Sequence, residues 1–184
     1  MRPQQGKIYQ NNEDNMGSFL HEVKVNTFGA MKRFNIRVYG IYIQKDYLLV
    51  TDEIRLNTPM TKLPGGGLKF GEGLEAALKR EWLEELEVEI EVGDIFYVNP
   101  FLQISAFRPT DEVICMYFWV KPLGPLRGTF REKPMDFPHK GNDQQVFRWI
   151  DMQQLRPEDF TFPIDRSLVP KLKAAYQETQ AAKS

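Results

Sequence analysis

Cysteine is nearly absent. The 184 residues hold one, Cys115, and only two histidines. One cysteine excludes an intramolecular disulfide framework and any zinc site built from several cysteines. It is compatible with a reducing cytoplasm, the compartment expected for the chain. Long apolar runs are also missing. The longest, Val113 to Val120, has the length of a strand, far short of the roughly 18 apolar residues of a membrane span. No membrane association is expected. The first sixteen residues, MRPQQGKIYQNNEDNM, lack the apolar stretch of a secretory signal. Nor does charge of one sign dominate. Twenty-four basic and 25 acidic residues leave a net charge of −1, so global charge carries no nucleic-acid signal.

The remaining composition is that of a folded chain. Hydrophobic residues make up 42% and charged residues 27%, which excludes wholesale disorder. The length suits one domain, large enough to bury a core without a metal or a disulfide. Residues 1–16, rich in Gln and Asn, read as a mobile tail, and 17–180 as a single domain.

Period-2 alternation predicts a strand from Phe19 to Phe28. Residues 34–51 hold two β-rich runs around Gln44-Lys45-Asp46, a hairpin pattern. Residues 56–67, LNTPMTKLPGGG, read as loop. Residues 73–86, GLEAALKREWLEEL, are strong helix formers. Val88, Ile90 and Val92 alternate with glutamates, and two further strands are expected around 95–107 and 112–121. Residues 122–145 carry four prolines and many charges and read as a long loop, the usual setting for specificity. Residues 146–150 return to a strand. A closing helix is predicted over 165–180, with Pro170 near its first turn. Strands on either side of one helix, with a second helix at the end, indicate an α/β or α+β layered domain.

The helix over 73–86 carries the chemistry. At 100° per residue, Glu81, Glu84 and Glu85 fall within an arc of about 100°. Three carboxylates so close repel one another unless a cation lies between them. Hard oxygen donors suit Mg²⁺ or Mn²⁺. The competing reading is a solvated helix face. Flanking residues tip the balance: Gly66, Glu72 and Arg80 stand at fixed distances from the glutamates. Six such fixed positions have a chance occurrence on the order of 10⁻⁵ in a chain of this length.

Residues 66–88 resemble the Nudix box, G-x5-E-x7-R-E-U-x-E-E-x-G-U, where U is a bulky apolar residue. With Phe147-Arg148-Trp149-Ile150 and the late helix, the resemblance extends over 17–176. It implies an α/β/α sandwich with a mixed β-sheet. It implies a hydrolase that cleaves the diphosphate linkage of a nucleoside diphosphate derivative with Mg²⁺ or Mn²⁺. Glu81, Glu84 and Glu85 would then be metal ligands or the water-activating carboxylates, and the carbonyl near Gly66 would join the metal shell. Glu72 and Arg80 would hold and orient them. The family's glycine after the paired glutamates is Glu87 here. A left-handed glutamate is costly, so the helix exit is expected to differ from the family norm.

The expected partner is a small-molecule nucleotide, with ADP-ribose or a nucleotide sugar preferred because Pro100 and Pro109 follow the box; a homodimer stays open. Arg37, Arg55 and Lys62 before the box, and Glu112 and Glu132 after it, are candidate substrate or metal contacts, weighed against ordinary surface charge. Phe130, Phe137 and His139 read foremost as loop anchors, Cys115 as a small core residue and Trp82 as packing against the sheet. Two rivals stand beside the hydrolase. One is a nucleotide-sensing or interaction module of the same fold without turnover. The other is a diphosphate-utilising isomerase, for which an apolar Cys115 is a poor catalyst.

Overall fold

In β1 (Arg33–Ile41), β3 (Tyr47–Arg55) and β7 (Asp111–Pro122), neighbouring side chains enter opposite cores. Val38, Leu49 and Phe118 face one side, and Tyr39, Val50 and Tyr117 the other. A strand buried on both faces needs a covering layer on each, and two helices supply them. The structure is a computed structural model and describes residues 33–139 and 141–182. The tail at 1–16 and the strand read at 19–28 lie outside the described residues.

Two sheets share the layer between the helices. In the first, β5 (Gly65–Gly67), β1, β7 and β6 (Ile90–Val98) lie in that order. β1 and β7 are parallel and the other pairs antiparallel, so the sheet is mixed. In the second, β3 pairs on one side with β2 (Ile43–Gln44) and β4 (Thr58–Lys62), and on the other with β8 (Gln144–Asp151). α1 (Leu74–Leu86) buries Ala77, Leu78, Trp82 and Leu86 against Val38, Phe118 and Phe147. α2 (Pro163–Ala181) buries Ile164, Leu168, Val169 and Leu172 against Tyr39, Ile41 and Tyr117. The α/β/α sandwich with a mixed sheet is therefore present. Among the described residues no helix is long and apolar enough to cross a membrane.

The hairpin at 44–46 forms between β2 and β3, with Lys45 and Asp46 both at positive φ (48° and 70°). Such a two-residue turn matches strand twist. β1 does not join that hairpin and runs into the other sheet. Residues 56–67 correct the loop reading, since they form β4 and β5. Leu56 and Asn57 turn the chain at φ 50° and 59°, and β3 offers β4 a ladder partner. Pro59 is tolerated because β4 lies at a sheet edge. The expected strands at 88–92 and 95–107 are one strand, β6, with a register shift after Val92. Pro100 then ends it, and Asn99 ties the exit to β7 by accepting from the Cys115 N–H at 2.7 Å.

α2 begins earlier than expected, with Pro163 in its first turn, which leaves Pro170 in the interior. An interior proline costs roughly 3 kcal/mol, opposed here by the buried stripe around it. The long loop, residues 123–143, is anchored by Phe130 on Phe147 and Trp149.

The helix exit also corrects an expectation. Glu87 ends α1 in the left-handed conformation (φ 50°, ψ 37°), so the exit follows the family norm without its glycine. The surroundings impose this. Leu86 and Val88 are both buried, and the Leu86 carbonyl accepts from the Arg127 N–H at 2.9 Å. Glu87→Gly is expected to raise stability by about 1 kcal/mol, by relieving the strained φ and removing an anion from the helix C-terminus. Urea denaturation checks it, and a loss of stability contradicts the strain argument.

Candidate active site

β5 is the floor of the site. It lies antiparallel to β1, with Gly66 opposite Val38 and Gly67 opposite Arg37. Gly65 sits at φ 133°, a conformation that side chains rarely adopt. Gly66 is needed for a different reason. A Cβ there would lie 2.5 Å from the Glu81 carboxyl, so the missing side chain is what lets α1 rest on the strand. Glu85 is fixed from the same floor, accepting the Gly65 N–H at 3.1 Å. Glu81 and Glu85 are largely sheltered, with 15% and 14% of their side chains exposed, whereas Glu84 is 54% exposed. The three glutamates share one helix face, but two point to the glycine strand and one to solvent.

Arg80 organises the acidic face. Its Nε and Nη2 grip both oxygens of Glu72, at 2.5 and 3.0 Å. Its Nη1 donates to Glu81 at 2.8 Å and to Glu84 at 3.1 Å, and Nη2 also donates to the Gly67 carbonyl at 3.1 Å. Five contacts match the five N–H donors of a guanidinium. The Glu72 carboxyl falls to about 2, chiefly through its hydrogen bonds from Arg80 and then from the Lys69 N–H. The expected orienting roles of Glu72 and Arg80 thus have matching geometry.

A second cation lies deeper. Lys62, the last residue of β4, is only about 3% exposed. Its Nζ donates to the Gly65 carbonyl at 2.8 Å, pairs with Glu53 at 2.7 Å and stands 3.9 Å from Glu85. Burial opposes its charge most strongly, but Glu85 and Glu53 outweigh burial and hold its pKa above the ordinary lysine value. Burial pushes the Glu85 carboxyl up to about 7, while Lys62 pulls the other way. Glu53 was not legible in the sequence. It sits in β3 among charged residues typical of a strand end, and only the pairing of β3 with β4 brings it to Lys62. A lysine placed in a strand one residue before Leu63-Pro64-Gly65 was the available signal.

Arg37 is brought to the site, opposite Gly67, with its Nε donating to the Tyr39 hydroxyl. Arg55 is exposed at the end of β3. Glu112 lies early in β7, opposite Phe34, and Glu132 is exposed in the 123–143 loop. Among the described residues, none of these three pairs with the box glutamates. No group of three His, Cys, Asp or Glu side chains there is gathered as a ready-made metal cage. The box carboxylates are engaged by Arg80 and Lys62 instead.

A mixed sheet between two helices, with a glycine strand set against a glutamate face, defines the class of protein. The NUDIX domain model matches residues 31–172, and the chain belongs to that family. No curated protein matches the sequence. Solved structures do. The solution structure of the E. coli ORF135 protein aligns with a TM-score of 0.59 at 18% identity, covering 79% of this chain and 92% of that one. A NUDIX hydrolase from Nitrosomonas europaea aligns at 0.57 and 19%, covering 77% and 89%. A MutT NUDIX hydrolase from Burkholderia pseudomallei aligns at 0.56 and 17%, covering 76% and 98%. At these identities the likeness shows the shared fold alone.

Two carboxyls give stability opposite pH dependences in metal-free protein. Glu72 has a depressed pKa, so its contribution is present above 4.5 and is lost as pH falls toward 2. Glu85 has a raised pKa, so its contribution is complete below 4.5 and is lost as pH rises through about 7. In chelator, melting temperatures across this range are expected to lose the acid limb in Glu72→Gln and the neutral limb in Glu85→Gln. An unchanged neutral slope in Glu85→Gln contradicts its burial as the cause.

Proposed function

We propose that the chain is a metal-dependent hydrolase that cleaves the diphosphate linkage of a nucleoside diphosphate derivative. One observation carries the reading: the space that a side chain at Gly66 would fill is where the Glu81 carboxyl meets the backbone of the glycine strand. That cradle and its all-oxygen donor set fit Mg²⁺ or Mn²⁺. Glu81, Glu84, Glu85 and the Gly66 carbonyl are the groups that would hold it. When bound, such a cation neutralises charge on the phosphate oxygens.

The chain's own residues do the rest. Arg80 keeps Glu81 and Glu84 turned to one side of the helix. The Gly65 N–H and nearby Lys62 hold Glu85 at the glycine strand, in position to ligate the cation or to activate the attacking water. Arg37, beside Gly67, is the basic group set to meet a substrate phosphate. ADP-ribose or a nucleotide sugar is the preferred substrate, on the strength of Pro100 and Pro109 beyond the box. The 123–143 loop selects among substrates; Phe130 and the Met135 N–H, which donates to Asp52 at 3.0 Å, hold it to the scaffold.

Glu81→Gln is expected to lower kcat by roughly a hundredfold or more with an unchanged melting temperature. Nucleoside monophosphate release from a nucleotide panel at saturating Mg²⁺ measures it. Near-normal turnover in that variant would sink the site assignment.

A further inference from the structure

Burying an ammonium is costly unless its donors are satisfied and its charge is matched. Lys62 meets both conditions in an unusual place. β4 ends at Lys62 and β5 begins three residues later, so its backbone is tied to both sheets. Glu53 Oε1 at 2.7 Å, the Gly65 carbonyl at 2.8 Å and Glu85 Oε1 at 3.9 Å surround its Nζ. Gln145 holds Glu53 from the other side, donating to the same oxygen at 3.1 Å. The Tyr39 ring closes the pocket, with its centroid 5.5 Å from Nζ. With its donors turned to protein oxygens, Lys62 is not free to grip a substrate phosphate.

Three oxygens, two of them from carboxyl groups, around a buried point charge form a set that a hard divalent cation would also accept. Without the ammonium, Glu53 and Glu85 would face each other in a largely buried pocket with no cation between them. We propose that the Lys62 ammonium is a permanent cation of the active site, occupying a position that a divalent ion would otherwise take. Divalent ions are thereby confined to the face that Glu85 shares with Glu81, Glu84 and the Gly66 carbonyl, away from Glu53. Glu53 is a positioning residue for Lys62 and not a metal ligand. The inference rests on the proposed metal-dependent activity and narrows where the metal binds.

Mn²⁺ binding to substrate-free protein, counted by electron paramagnetic resonance of the unbound ion, tests it. Lys62→Met is expected to bind one more equivalent than the wild type. Lys62→Arg, which keeps the charge, is expected to show the wild-type count. Glu53→Gln should keep the wild-type count and affinity, since it removes a partner of the lysine alone. An unchanged count in folded Lys62→Met overturns the proposal. So does a loss of about tenfold or more in Mn²⁺ affinity in Glu53→Gln, the penalty typical of a residue linked to the metal. If Lys62→Met does not fold, the Glu53→Gln affinity decides. A wild type that binds no Mn²⁺ while Lys62→Met binds it supports the lysine's role and overturns metal-dependent hydrolysis. Absence of binding in both overturns both.

Discussion

The grip of Arg80 on Glu72 is the contact on which the rest of the site depends. It joins the loop before α1 to the helix itself, eight residues apart, with two parallel hydrogen bonds. The same guanidinium reaches Glu81, Glu84 and the Gly67 carbonyl. One planar cation therefore sets the distance between the glycine strand and the acidic face. A lysine could not replace it, because a single point charge cannot hold three carboxylates and a carbonyl in fixed directions.

Around that contact, charge is balanced in two tiers. Arg80 stands on the partly exposed side with Glu72, Glu81 and Glu84. Lys62 stands on the buried side with Glu53 and Glu85. The apolar residues of α1 lie beneath both, so the helix cannot roll to relieve the repulsion among its glutamates. Trp82 shows how tight this seat is: a Cβ at Gly40 would come within 2.6 Å of its indole nitrogen. Repulsion is thus met by fixed cations and not by movement, which leaves an oxygen-lined face prearranged for ligands that carry positive charge or polarise around it.

Much of this was legible in the sequence, and the reasons for the rest are physical. The box glutamates, Glu72 and Arg80 are local, and helix periodicity places them. The continuous apolar run Val113–Val120 marks β7, as a strand buried on both faces does. The misses that bear on the site are non-local. Residues 56–67 hold two prolines and three glycines, so they look like loop until β3 and β1 supply ladder partners for β4 and β5. Glu53 gains meaning only through that pairing. Glu87 was expected to alter the helix exit, but the buried neighbours Leu86 and Val88 hold it in the left-handed conformation. Tertiary packing overrode local preference there.

Where the oxygen of water goes tests the central claim most directly. Wild-type protein with Mg²⁺ and ADP-ribose, or another nucleoside diphosphate derivative, in ¹⁸O-labelled water is followed by ³¹P nuclear magnetic resonance. The account predicts Mg²⁺-dependent appearance of two phosphate monoesters, one of them carrying a single ¹⁸O. Ligand binding across the panel with no product and no label would contradict it, and would make the chain a nucleotide-binding module without turnover.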